Sequence, residues 1–121
     1  MAKKILIADD SATIRKLVGF TLKFKGYNVL TANNGKEAWN MLQNEKCNLV
    51  IIDILMPVMD GFQLLSKIKS EEKLKNIPCV ILTVEGDEAS KQKGKEFGAD
   101  SYLVKPFQPQ QLLAKVKEFV K

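Results

Sequence analysis

Residues 50–61 read Val50-Ile51-Ile52-Asp53-Ile54-Leu55-Met56-Pro57-Val58-Met59-Asp60-Gly61. With Leu49, the apolar run before Asp53 predicts a buried strand that goes straight into a carboxylate. Burying a carboxylate at a strand exit is unfavourable unless something compensates it. The run Ile5-Leu6-Ile7-Ala8 ends in the same way, in Asp9-Asp10. Two strands that deliver carboxylates to one sheet edge would make a metal site. A metal beside an aspartate suggests phosphoryl chemistry on that aspartate.

The rest of the chain alternates such runs with amphipathic stretches. Strands are predicted over residues 4–8, 27–32, 49–53, 79–83 and 101–104. Helical spacing lies between them. Ile14, Leu17, Val18 and Thr21 mark the first helix, which Gly26 stops. Ala38, Trp39, Met41 and Leu42 mark the second, opened by Asn34-Gly35, with Trp39 read as a core residue. Phe62, Leu65 and Ile68 mark the third, capped by Asp60. Leu112, Leu113, Val116, Phe119 and Val120 mark the last, with Pro109 in its first turn. The fourth helix, about residues 88–97, has only Ala89 and Phe97 as apolar residues and carries Gly94 inside it. It should be the least stable helix, read either as a moving part or as a merely exposed helix.

Five strands alternating with five helices predict an α/β fold, a doubly wound parallel sheet covered on both faces. Such sheets bind ligands outside the carboxyl ends of their strands. Those ends carry Asp9-Asp10, Asp53, Thr83 and Lys105-Pro106. Each alone has an ordinary explanation: Asp10 as a helix cap, Thr83 as a β-former, Lys105 as a surface lysine. Together they occupy four strand ends at the ligand-binding edge. Oxygen-only donors favour a hard ion, Mg2+ or Mn2+. Lys105 and Thr83 would stabilise charge on a transferred phosphoryl group, and a carboxylate can itself be the nucleophile.

Bulk properties limit the alternatives. At 121 residues, 45% hydrophobic and 27% charged, the chain reads as one globular domain, residues 1–121. The net charge of +5 rests on lysine, since Arg15 is the only arginine. That predicts a solvated surface and no direct nucleic-acid binding. No apolar stretch reaches membrane-spanning length, and Cys47 and Cys79 fit no metal spacing. The expected setting is cytoplasmic, with both thiols reduced. The chain has no histidine, which excludes His-based acid–base chemistry and His ligands.

With these residues in order, the chain resembles the CheY-like receiver domains of two-component response regulators. The resemblance covers nearly the whole chain and rests on Asp9-Asp10, Asp53 with Met56-Pro57-Val58-Met59-Asp60-Gly61, Thr83, and Lys105-Pro106-Phe107. It implies strand order 2-1-3-4-5 and a stand-alone phosphorylation switch that catalyses only its own phosphorylation and dephosphorylation. Asp53 would be the phosphoacceptor. Asp10 would bind the metal directly, Asp9 through water, and the Leu55 carbonyl would complete the protein ligands. Lys105 would pair with Asp53, across a cis bond to Pro106. Thr83 and Tyr102 would move on activation, remodelling the face formed by the fourth helix, fifth strand and fifth helix. Phosphorylation adds roughly −1.5 to −2 charges at that edge, so groups that gain partners only then bias a two-state element. Val84 departs from the small residue usual after the threonine. It should shield the acyl phosphate, with Leu55 and Glu85 as further positions that tune its lifetime.

The implied partners are a histidine kinase or histidine phosphotransfer protein upstream and a protein target downstream. The natural chain could also extend beyond Lys121. A monomer is expected, with dimerisation on phosphorylation as the alternative; chemotaxis is one candidate pathway, by analogy only. Competing readings fit less well. A haloacid-dehalogenase-type phosphatase needs Asp-x-Asp after a strand, and neither site supplies it. A flavodoxin-like carrier would place adjacent aspartates where a flavin phosphate binds. A phosphorylation-independent binding module leaves the complete acceptor set unexplained.

Overall fold

The computed structural model describes residues 2–121. The elements are β1 Lys4–Ala8, α1 Ala12–Phe24, β2 Asn28–Ala32, α2 Gly35–Asn44, β3 Leu49–Asp53, α3 Gly61–Ser70, β4 Cys79–Val84, α4 Glu88–Glu96, β5 Ser101–Lys105 and α5 Pro109–Phe119. All strand pairings are parallel, in the order β2-β1-β3-β4-β5. The reversal between β1 and β3 places the carboxyl ends of these strands side by side.

The apolar runs are continuous because both faces of the sheet are covered. Ile5, Ile7, Leu49, Ile51, Val80, Leu82 and Leu103 pack with Val18 and Leu22 of α1 and Leu112 and Val116 of α5. The alternate residues Leu6, Ala8, Val50, Ile52, Cys79 and Ile81 pack with Ala38 and Leu42 of α2 and Leu64, Leu65 and Ile68 of α3. This two-residue alternation divides one uninterrupted sequence run between two cores. Both cysteines are buried, and burial pushes the thiols up to about 11 for Cys47 and about 12 for Cys79.

Capping sets the helix starts. Ser11 accepts from Ile14 N, Asn34 from Glu37 N and Asp87 from Ser90 N. Asp60 and Gln63 form a reciprocal capping box on α3. The helix-cap explanation for Asp10 is thereby removed, because Ser11 takes that position.

Several expectations shift. Hydrogen bonding carries β4 through Val84 and β5 through Lys105, and β2 starts one residue late, at Asn28. Leu17 is exposed and the α1 stripe runs through Val18 and Leu22, with Phe20 and Phe24 also outside the core. Trp39 is only half-buried, beneath the Lys67 ammonium at 4.8 Å. In α4 little is buried, as its sparse apolar residues predict: Ala89 and Phe97 are exposed, and Gly94 is its one buried residue. A Cβ at Gly94 would run into Ile81 Cδ1. The glycine that weakens this helix is what lets it lie close to β4.

Candidate functional site

The strand ends converge as their order requires. Carboxylate oxygens of Asp9, Asp10 and Asp53 lie within 4.8 Å of one another. Asp9 is fully buried and Asp53 nearly so, while Asp10 faces solvent. The Lys105 ammonium bridges the two buried acids, 2.9 Å from Asp9 Oδ2 and 3.1 Å from Asp53 Oδ1. The contact to Asp53 Oδ1 is also directed as a hydrogen bond, whereas the contact to Asp9 Oδ2 is an ion pair only.

Asp9 is held at its other polar atoms. Its N–H donates to the Ala32 carbonyl (3.0 Å), its carbonyl accepts from Arg15 Nη1 (2.8 Å), and Oδ1 accepts from Ser11 N (2.9 Å). The single arginine thus braces the turn that carries the acidic pair. Asp53 is positioned by a different device. Gly61 N–H donates to the Ile54 carbonyl (2.8 Å), and a Cβ on Gly61 would collide with the Asp53 carbonyl oxygen. The Asp60-Gly61 pair therefore caps α3 and lets its first turn close against the end of β3.

Burial raises Asp53 to about 6, with the Asp9 charge acting in the same direction and Lys105 opposing both. Burial alone would lower Lys105, but its contacts with Asp9 and Asp53 outweigh that and raise it. Three carboxylates face one ammonium, which leaves an excess of negative charge. Crowded oxygen donors with one acid open to solvent fit a hard divalent cation and leave no role for a soft one.

Thr83 is buried, and its hydroxyl has no partner. A buried orphan hydroxyl is uncommon and calls for an explanation. It lines a cavity of about 360 Å³ together with Asp10, Asp53, Leu55, Val84 and Lys105. Leu55 and Val84 are exposed at its mouth, at 80% and 56%, and Glu85 is exposed in the following turn. Tyr102 is turned outward, its ring 4.5 Å from the Lys91 ammonium. The Lys105–Pro106 bond is cis. Asp87 and Ser90, from the start of α4, also line the cavity. Sequence reading missed them, although an Asp directly before a helical stretch, as Asp87 is, is an N-cap signal.

The family model of the response regulator receiver domain matches residues 5–117. Chemotaxis protein CheY4 of Vibrio cholerae superposes with a TM-score of 0.94 at 38% identity, over 99% of this chain and 100% of that one. The phosphate regulon transcriptional regulatory protein PhoB of Pseudomonas aeruginosa is 38% identical over 97% of this chain. The alkaline phosphatase synthesis transcriptional regulatory protein PhoP of Bacillus subtilis is 36% identical over 100% of it. The chain spans about half the length of the curated relatives it matches. Nearly the whole of this sequence, its strand order and its acidic edge agree with one family: the chain belongs to the receiver domains of two-component response regulators.

Proposed function

We propose that this receiver is switched by phosphorylation of Asp53. The observation that carries the reading is the Asp53 carboxylate, nearly buried, paired with Lys105 and lining one cavity with Thr83, whose hydroxyl is unpartnered. In the reaction an Asp53 carboxylate oxygen forms a bond to phosphorus as the donor's phosphorus–nitrogen bond breaks. The histidine imidazole of a kinase or phosphotransfer protein leaves with the electron pair. Lys105 already touches one oxygen of the Asp53 carboxylate and would follow the charge onto the phosphoryl oxygens. Thr83 would donate to one of them and gain the partner it lacks. Both interactions strengthen only as phosphoryl charge arrives, the condition for catalysis and for switching alike.

Asp9, Asp10, Asp53 and the Leu55 carbonyl are the groups that would hold Mg2+, with Mn2+ as a substitute. The ion would neutralise the excess negative charge against which a phosphoryl group must approach. Val84, Leu55 and Glu85 at the cavity mouth would set how readily water reaches the acyl phosphate. Tyr102 would turn inward as Thr83 moves, and the α4–β5–α5 face would change shape for a downstream protein. The setting fits the cytoplasm, where such donors act, and the chain would catalyse no reaction beyond its own phosphorylation and dephosphorylation. Incubation with acetyl phosphate and Mg2+ followed by intact-mass measurement tests the acceptor. One phosphoryl group on the wild type and none on Asp53→Asn is expected; incorporation that survives the substitution overturns the assignment.

A further inference from the structure

Val58 occupies a backbone position that does not suit it. Its φ is +70°, and among the described residues it is the one non-glycine in that region. Left-handed backbone is cheap for glycine and disfavoured for a β-branched side chain. The turn is closed locally, Met59 N–H donating to the Pro57 carbonyl (2.7 Å), which accounts for the backbone; core packing does not account for a valine there, because its side chain is 76% exposed. A strained residue that presents an isopropyl group to solvent points to use of that group by something outside the chain.

Val58 stands at one end of an open groove of about 520 Å³ between α3 and α4. The groove is floored by Phe62 and Phe97, which meet edge to face with centroids 5.9 Å apart. Lys93 lies 4.6 Å from the Phe62 ring and 5.9 Å from the Phe97 ring. Lys67 lines the same groove and sits over Trp39. The one acidic lining residue, Asp60, is engaged as the α3 cap, accepting from Gln63 N at 2.9 Å. An apolar floor with the Lys93 ammonium against it and Lys67 in its lining is complementary to an apolar anchor that carries carboxylates beside it. Two lysines are too few for a nucleic-acid track, and a recessed floor does not suit a membrane surface, which needs protruding apolar residues.

We infer that the α3–α4 groove, bounded by Val58, Phe62, Lys67, Lys93 and Phe97, is a docking site for an acidic peptide segment with an apolar anchor. It lies on the α3 side of α4, away from the face assigned to output above. Its size suits a few side chains rather than a folded domain. Because one wall is α4 and one end is the loop that follows Asp53, an occupant contacts both the acceptor loop and the weakly held helix.

The test titrates the unphosphorylated full chain with the peptide acetyl-Glu-Asp-Leu-Phe-Asp-Glu-amide and with a counterpart in which lysines replace the acids. Amide chemical shifts and Trp39 emission are recorded, the latter because Lys67 stacks on that ring. Saturable shifts at Val58, Lys93 and Phe97 that weaken with salt are expected for the acidic peptide only. Val58→Gly and Lys93→Gln should each lower its affinity on the order of tenfold, while Val58→Gly unfolds at the same or a higher temperature. Equal binding of the basic peptide, unchanged affinity of Val58→Gly, or shifts confined to another face would overturn the inference. So would light scattering that shows a dimer, with the Val58 and Phe97 amide shifts changing on dilution.

Discussion

At the residue scale the acidic edge is held in tension. Burial in the fold pushes the Asp53 carboxyl up from its ordinary 3.8 to about 6. A carboxyl raised in this way binds its proton more tightly in the folded state. Folding is therefore favoured while it is protonated, and that advantage disappears as pH rises from about 4 through about 6. Above that range the ionised group opposes folding by at most about 3 kcal/mol, at roughly 1.4 kcal/mol per unit. Asp53→Asn should accordingly be more stable than wild type by about 1–3 kcal/mol at pH 7.5 without divalent ions. The two proteins should converge below pH 4, as measured by urea unfolding across the pH range. Val84 belongs to the same scale. Its exposed side chain at the cavity mouth should slow water entry. Val84→Ala should lose phosphate roughly fivefold faster, equivalent to about 1 kcal/mol of barrier; phosphate release from the acetyl-phosphate-loaded proteins measures it.

At the element scale α4 is the helix with the weakest hold. Only Gly94 is buried, and its other contacts include Lys91 over Tyr102, Lys93 over two aromatic rings and the Asp87 cap. Helix propensity alone makes Gly94→Ala stabilising by about 1 kcal/mol. Contact with Ile81 reverses the sign, because the added methyl must push the helix from β4 or displace the isoleucine. Gly94→Ala should lower the midpoint of thermal unfolding, and Ile81→Val should partly restore it. Amide exchange should be fastest in α4 among the five helices, since few buried contacts protect it. Helices that bury several residues each, such as α3 with Leu64, Leu65 and Ile68, should open only with the whole domain.

At the scale of the whole molecule, metal binding and folding are linked. A cation that binds only the folded cluster stabilises the domain by about 1.4 kcal/mol at ten times its dissociation constant. Mg2+ should raise the unfolding temperature of the wild type, and a chelator should reverse this. Asp10→Asn, which removes the solvent-facing acid, should blunt the response without disturbing either core. Scanning calorimetry with and without Mg2+ reads all three. A wild-type curve indifferent to Mg2+ would contradict a metal site at this edge. No helix among the described residues is long and apolar enough to cross a membrane.

The order of elements, the doubly wound sheet and the four strand ends that carry the site were legible in the chain alone. Apolar runs of strand length, helical spacing and turn residues are local signals, and each is written in neighbouring side chains. Leu49–Asp53 was legible as a strand because four apolar residues precede one acid. Whatever depends on distant partners emerged with the packing of the elements. Lys105 bridges Asp9 as well as Asp53, Arg15 braces the Asp9 carbonyl, and Asp87 reaches the cavity wall. Gly94 reads as a defect until β4 is packed against it, and Val58 reads as an ordinary loop residue until its φ is known. Spacing along the chain reports which face a residue can take; which group it meets there is set by the packing of elements far apart in sequence.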